Sequence, residues 1–530
     1  MNNYQSDNRK FALTTPLYYV NGVPHIGSAY TTIVADALAR FQRLQGKSVL
    51  LITGTDEHGQ KIQRTAAEQG LEPQVHCDHI VDSFKSLWDK LNIKYDRFSR
   101  TTAASHQAIV NEFFQRVWDT GDIYLDRQQG WYCVSCEEFK EEKELLENHY
   151  CAIHTNKQAE WRDEENYFFR LSNYQQQLEQ LYDSQPDFLQ PASRRNEVVN
   201  FVKQGLKDFS ISRVNLDWGF PIPVAPNHTI YVWFDALLGY VTALLEPGQE
   251  PTLENALSQW WPINLHLIGK DILRFHAVYW PAMLVSAGLP IPEKIFGHGF
   301  LTKDGLKMGK TLGNTIDPFD LVDRYGADAV RYYFLKEIEL GKDGDFNETR
   351  FINVLNADLA NDLGNLLNRN LGMLQKYCQG YGPQLTVADY GSDHPLKNIG
   401  VDLGDRVVQA CENLQFSKAC EEVLTLVRAS NKYIDDSAPW SLFKQGKQAE
   451  VEQILYAVLE SVRLSAYLLA PIIPNLSSKI YQQLGFDWDF NSDLEEQAKD
   501  IFQIHSQWGK LPANKTLGKA SPVFSKLELP

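Results

Sequence analysis

Phe11–Thr53 reads FALTTPLYYVNGVPHIGSAYTTIVADALARFQRLQGKSVLLIT. Phe11 to Thr15 has the pattern of a short buried strand. A loop, LYYVNGVPHIGS, follows it. Tyr30, Ile33, Val34, Ala37, Leu38 and Phe41 then recur at helical spacing, with Gly46 as the stop. Ser48–Thr53, SVLLIT, is a second buried strand, and GTDEHG is the turn after it. Strand, helix and strand in immediate succession make a βαβ unit, the building block of a parallel sheet. HLIGKD, at His266–Asp271, reads as a later strand-to-loop junction of the same kind.

Outward from this unit the pattern changes twice. The stretch 119–226 holds WYCVSC, the acidic run EEFKEEKELLE and CAIH, and reads as an insertion with its own architecture. From about 355 the chain becomes helical throughout, most clearly where Ile454, Leu455, Val458, Leu459 and Val462 form an apolar stripe. The expected divisions are 1–118 and 227–350 for the two halves of a split catalytic domain, 119–226 for the insertion with a knuckle at about 131–155, and 351–530 for a helical domain.

The 530 residues allow several domains, each with its own core. A composition of 43% hydrophobic and 22% charged residues is that of a globular chain. The polar start MNNYQSDNRK has no apolar signal segment, and no apolar run approaches the ~18 residues of a membrane span. Seven cysteines without small-scaffold spacing suit a reducing compartment, so a cytoplasmic protein is expected. The net charge of −16 argues mildly against a nucleic-acid partner, which needs a local basic surface.

Four patterns carry chemistry. In PHIGS, Pro24–Ser28, a loop enters a helix N-terminus, where free N–H groups and the helix dipole favour phosphate. Gly27 allows close approach, and His25 can donate to an oxygen gaining charge in a transition state. In KDGLKMGKTLGN, Lys303–Asn314, three lysines within eight residues make a flexible cationic loop. Lys307 and Lys310 suit a departing pyrophosphate. GKT is not the end of a P-loop, because only three residues separate Gly305 from Gly309. Cys133-x-x-Cys136, then fourteen residues, then Cys151-x-x-His154 has the spacing of a closed, structural zinc knuckle. His149 is a spare candidate that breaks the spacing, and Cys77, Cys378, Cys411 and Cys420 have no partners at ligand spacing. Last, Tyr19, Trp233, Tyr240, Ile272 and His276 fall near strand ends, where aromatic residues can line an apolar pocket that suits a thioether. Asp56, in GTDEHG, can pair with a substrate ammonium.

These motifs and their order resemble the methionyl-tRNA synthetases. The resemblance rests on PLYYVNGVPHIGSAYTTIVADALARF, TGTDEHG, WYCVSC…CAIH, EENYFFRLS, YVWFDALLGY, HLIGKDILRFHAVYWPAML, GLKMGKTLGNTIDP and RYGADAVRYYF, and runs from about Ala12 to the closing LGKASPVFSKLE. It implies a class I synthetase: a doubly wound parallel, Rossmann-type sheet split by the zinc knuckle, followed by an all-α anticodon-binding bundle. By position it implies that His25, Gly27, Ser28 and Asp271 bind ATP, Asp271 at the ribose. Lys307 and Lys310 would stabilise pyrophosphate, and Leu17, Tyr19, Asp56, Trp233, Tyr240, Ile272 and His276 would hold methionine. Asn365 and Arg369 in GNLLNRN and Trp440 in SAPW would read the CAU anticodon. The implied partners are ATP with Mg2+, L-methionine and tRNA(Met), including the initiator, with one structural Zn2+. Ser28 stands where the family usually has His, and Gly309 where its KMSKS signature has Ser. The family's dimerising C-terminal tRNA-binding domain is not seen after LGKASPVF, so a monomer is expected.

Other readings fit less well. A leucine, isoleucine or valine enzyme needs a longer editing insertion than 119–226, and a cysteine enzyme needs an open zinc site. A zinc-ribbon nucleic-acid binder leaves the nucleotide motifs unexplained. A small-cofactor nucleotidyltransferase has no use for a helical bundle bearing GNLLNRN and SAPW.

Overall fold

The structure, a computed structural model, describes residues 9–153, 155–214, 216–308, 313–383, 393–492 and 501–529. The chain divides into two compact units. One comprises Met1–Ala35, Leu50–Asp89 and Lys94–His298; the other comprises Asp36–Val49, Lys90–Ile93 and Gly299–Pro530.

The first unit is built on a six-stranded sheet in the order Arg97–Arg100, Ser48–Asp56, Lys10–Tyr19, Leu265–Gly269, Ile295–His298, Leu189–Gln190. The registered pairs are parallel, among them Leu13↔Leu265, Ile52↔Arg97 and His266↔Ile295. The first strand is therefore internal. The chain winds outward from it on one side, then returns to its other side with Leu265–Gly269. The C-terminal ends of these two neighbours flank a topological switch point, where open α/β sheets bind ligands. Helices cover the sheet. Ala104–Asp119 buries Ile109, Val110, Phe113, Phe114 and Val117 on one face, and Phe113 packs on Phe234 and Trp280.

Two edges differ from the sequence reading. The first strand spans Lys10–Tyr19 and the second Ser48–Asp56, so Pro16, Leu17 and Tyr19 belong to a strand rather than to the following loop. The helix after them is Ile26–Leu44, and Gly46 sits at φ 81° beyond it.

The insertion has its own antiparallel sheet. Ile123–Cys133 and Glu160–Phe169 run as a long ladder from Ile123↔Phe169 to Tyr132↔Glu160, with Glu138–Lys140 and Phe209–Ser210 on its edges. Between these elements the chain returns to the parent sheet, where Leu189–Gln190 forms the edge strand.

The second unit is mainly helical. Long helices Phe416–Ser437 and Gln448–Leu469 pack through buried Val423, Leu424, Val427, Leu455, Val458 and Val462. Glu460, wholly buried, pairs with Arg463 and accepts the backbone N–H groups of Gly509, Lys510 and Leu511, which pins the C-terminal segment to the bundle. Among the described residues no helix is long and apolar enough to cross a membrane.

Candidate active site

The strand Lys10–Tyr19 delivers the chain to PHIGS at the switch point. His25 folds its ring over the first turn of the helix: its Nδ1 accepts the N–H of Gly27 at 3.0 Å and of Ser28 at 3.2 Å. An imidazole accepting at Nδ1 carries its proton on Nε2. The ring lies so close that a Cβ on Gly27 would stand 3.0 Å from its Cε1 and Nδ1, which is why glycine follows. His25 is exposed and Ser28 is buried, with Ser28 Oγ 3.5 Å from His25 Nε2. Across the switch point, Thr31 on the same helix bonds Gly27 O and His298 Nε2, joining the first turn to the end of Ile295–His298. Asp271 is exposed just past the end of Leu265–Gly269.

Of the residues singled out near strand ends, Tyr240, His276 and Ile272 are bonded to one another, whereas Tyr19 and Trp233 have other partners. Tyr240 Oη is 2.8 Å from His276 Nε2, and His276 Nδ1 is 3.0 Å from the Ile272 carbonyl. The carbonyl fixes the proton on Nδ1, so Nε2 accepts from the Tyr240 hydroxyl. Burial holds His276 neutral, its pKa pulled down to about 4. Trp233 stacks on Phe275 with centroids 3.8 Å apart; the spacing argument did not single out Phe275, a single aromatic in a run of them. Leu17 and Ile272 pack half-buried against the core of this unit.

Asp56 ends the strand Ser48–Asp56. It is 5% exposed, and its Oδ1 has no hydrogen-bond partner among the described residues. Burial raises its pKa well above the carboxylate range, and the nearby charges of Asp235 and Glu137 add to this, while the His58 backbone N–H counters it. Its field reaches the phenols of Tyr19 and Tyr240. A buried carboxylate with one bare oxygen is costly unless a donor or cation arrives.

Two further residues shape this region. Glu137, directly after Cys136, accepts from Tyr19 Oη at 2.8 Å and from the Lys61 backbone N–H at 2.7 Å. Arg213 is buried over the Tyr231 ring, and its charge eases the ionisation of Glu137. Glu137 was hidden in an acidic run, and Arg213 carried no motif.

The sulfur ligands converge. Cys133, Cys136 and Cys151 have ligand atoms all within 4.8 Å of one another, with the Cys136 and Cys151 Sγ atoms 3.5 Å apart. Zn–S bonds of about 2.3 Å at tetrahedral angles need sulfurs roughly 3.7 Å apart, so the set fits a metal ion. His154 lies outside the described residues. His149 is engaged elsewhere, stacked on Trp131 at 3.7 Å and paired with Glu142 at 3.3 Å. All seven cysteines are free of disulfides; Cys77, Cys411 and Cys420 are buried thiols and Cys378 is half-buried.

In the second unit, the first half of the cationic stretch is ordered structure rather than a loop. Leu301–Lys303 and Leu306–Lys307 form a hairpin around Asp304–Gly305, both at positive φ, as a two-residue turn requires. Lys307 is exposed on it, and Asn314 donates to its carbonyl. Gly309 and Lys310 lie outside the described residues. In the helical part, Asn365 is exposed and Arg369 half-buried, one turn apart on Asn365–Tyr377. Arg369 pairs with Asp435 of Phe416–Ser437 at 2.6 Å. That helix ends at Ala438, in the left-handed region at φ 45°, and the turn puts Trp440 outside the bundle, 39% exposed.

A helix N-terminus at the switch point of a parallel sheet suits a nucleotide phosphate, and the class of protein this points to is the class I aminoacyl-tRNA synthetases. Comparison with known proteins narrows this. Residues 11–146 and 140–371 match the family described as tRNA synthetases class I (M), and 397–514 match the anticodon binding domain of methionyl tRNA ligase. The chain is 72% identical to the methionine–tRNA ligase of Synechocystis sp. over 98% of each chain, and 70% identical to that of Nostoc sp. over 100% of this chain and 99% of the other. A solved Mycobacterium tuberculosis methionyl-tRNA synthetase in complex with methionyl-adenylate superposes with a TM-score of 0.89 at 38% identity, over 97% of this chain and 99% of that one. The chain belongs to the methionyl-tRNA synthetase family, the ATP-dependent ligases that join methionine to tRNA.

Proposed function

We propose that this crevice activates L-methionine and that each site residue acts as follows. The bare Asp56 oxygen, buried within reach of Tyr19 and Tyr240, is the observation that carries the reading: it takes the methionine ammonium. Leu17, Tyr19, Trp233, Tyr240, Ile272 and His276 enclose the thioether, which packs on aromatic faces. ATP, accompanied by Mg2+, lies along the switch point with its ribose at Asp271 and its phosphates at Gly27, Ser28 and His25 Nε2–H. The methionine carboxylate attacks the α-phosphorus in line, the bond to pyrophosphate breaks, and Lys307 and Lys310 take up the charge that leaves. The 3′-terminal ribose hydroxyl of tRNA(Met), initiator included, then attacks the adenylate carbonyl and AMP departs. Asn365, Arg369 and Trp440 read the anticodon. We take the enzyme to be a cytoplasmic monomer. Amino-acid-dependent ATP–pyrophosphate exchange tests the core of this reading. Methionine alone of the twenty should support it, and exchange driven by leucine, valine or cysteine would overturn it.

The metal is zinc, held by Cys133, Cys136, Cys151 and His154. A set of three thiolates and one imidazole leaves no open position, so the ion shapes the insertion and does not touch substrate. Metal analysis should find about one zinc per chain, and a Cys133→Ser, Cys136→Ser double variant should lose it. Stoichiometric zinc in the double variant would refute the ligand set.

A further inference from the structure

Asp235 interrupts the apolar and aromatic run YVWFDALLGY and is wholly buried. Each of its oxygens meets a histidine from a different element. Oδ2 is 2.5 Å from His58 Nδ1, in the turn after Ser48–Asp56, and Oδ1 is 2.5 Å from His106 Nε2, on Ala104–Asp119. The far nitrogen of His106 bonds Thr242 Oγ1 at 2.7 Å. The His58 ring is further wedged edge-on against Phe220 at 4.6 Å and Trp218 at 5.7 Å. Burial opposes the charge on Asp235, but the two histidines outweigh it and hold its pKa at about 2.

The set lies close in sequence to three of the residues assigned to methionine. The strand Ser48–Asp56 ends at Asp56, and His58 stands two residues on, in the turn that follows. Trp233 lies two residues before Asp235 in the same short helix, Val232–Ala236, and Tyr240 lies in the next, Gly239–Thr242. A buried ion network of this kind contributes little net stability compared with apolar packing. What it supplies is fixed geometry.

We propose that Asp235 is a positioning residue for methionine recognition. By clamping the His58 ring it holds the turn next to Asp56 and so keeps the bare Asp56 oxygen in place for the substrate ammonium. The inference rests on the assignment of Asp56 above. Asparagine at 235 keeps the size but replaces one acceptor with a donor, so one histidine loses its bond.

In the full-length protein, Asp235→Asn should raise the methionine KM in ATP–pyrophosphate exchange roughly ten- to a hundredfold, the range for losing a hydrogen bond to a charged group. The ATP KM should stay near wild type, while the thermal midpoint falls, because removing one partner of a buried pair is destabilising. The loss should be confined to ligands with an ammonium. 4-(Methylthio)butanoate, which keeps the thioether and carboxylate and lacks the amine, should inhibit variant and wild type equally. An unchanged methionine KM, or an equal loss for the des-amino compound, overturns the proposal. If Asp235→Asn does not fold, His58→Asn carries the test with the same expected pattern. Where both fold, the double variant should be no worse than the weaker single one, and additive losses overturn the relay. A wild type that shows no methionine-dependent exchange refutes the parent assignment instead.

Discussion

Around the site proposed for methionine the polar groups are bonded to one another before any ligand arrives: Tyr240 to His276, His276 to Ile272, His58 to Asp235, with the bare Asp56 oxygen left over. On the helical unit the corresponding groups stand at the surface. Trp440 is 39% exposed, and Arg369 is held by one ion pair to an exposed Asp435. The difference separates two ways of being specific. A buried, pre-bonded pocket rejects a wrong ligand because an unmet polar group inside protein is costly. An exposed face gains its energy from stacking and charge as the ligand arrives, and salt weakens the charged part.

His25 gives the sharpest test of the preset side. Its ring is fixed by the helix turn it caps. His25→Ala should slow adenylate formation by roughly two to three orders of magnitude, as for one lost oxyanion donor, with the methionine KM near wild type. A defect mainly in methionine affinity would move His25 from the transition state to the ground state.

The next effect is on stability. His276 has its pKa lowered from 6.5 to about 4 by burial. Between those values the unfolded chain binds a proton that the folded chain excludes. Stability is therefore intact above pH 6.5 and is lost as pH falls toward 4, by up to about 3 kcal/mol. Urea melts at pH 7 and pH 4.5 should show a steeper loss for wild type than for His276→Gln. Equal losses would mean that the buried imidazole titrates normally.

The exposed side predicts the reverse pattern. Trp440→Ala should keep its fold and its ATP–pyrophosphate exchange but charge tRNA about 5- to 150-fold less efficiently, from roughly 1–3 kcal/mol of lost base stacking. A core tryptophan would instead cost roughly 3–5 kcal/mol of stability. Early melting, or normal charging, would erase the contrast. Smallest of all, Asp435→Ala should lower the free energy of unfolding from urea melts by less than about 1 kcal/mol, because both partners of its pair with Arg369 reach solvent. A larger shift would make that pair part of the fold.

What the sequence made legible was local. The βαβ unit and the thiolate cluster are short-range patterns, and periodicity and spacing report them directly. Strand ends were harder. The strand beginning at Lys10 continues through Pro16 to Tyr19 inside the sheet, beside Leu265–Gly269, a neighbour from far along the chain. The hairpin at Leu301–Lys307 did leave a signal, Asp-Gly at a two-residue turn, which the density of lysines obscured. The His58–Asp235–His106 set left none: its bonds span 177 and 129 residues, and no spacing rule reaches that far.

The edge strand Leu189–Gln190 limits how this protein can be rearranged. It lies within the insertion by sequence but completes the parent sheet, so excising 119–226 as a block would strip a strand from that sheet. The ladder between Ile123–Cys133 and Glu160–Phe169 opens at Tyr132↔Glu160, and the excursion that carries the cysteines leaves from that open end. The tip is not free of the parent unit either, because Glu137, next to Cys136, holds the Tyr19 hydroxyl and the Lys61 backbone. An exchanged insertion therefore has to bring both attachments with it, the edge strand and the Glu137 contacts.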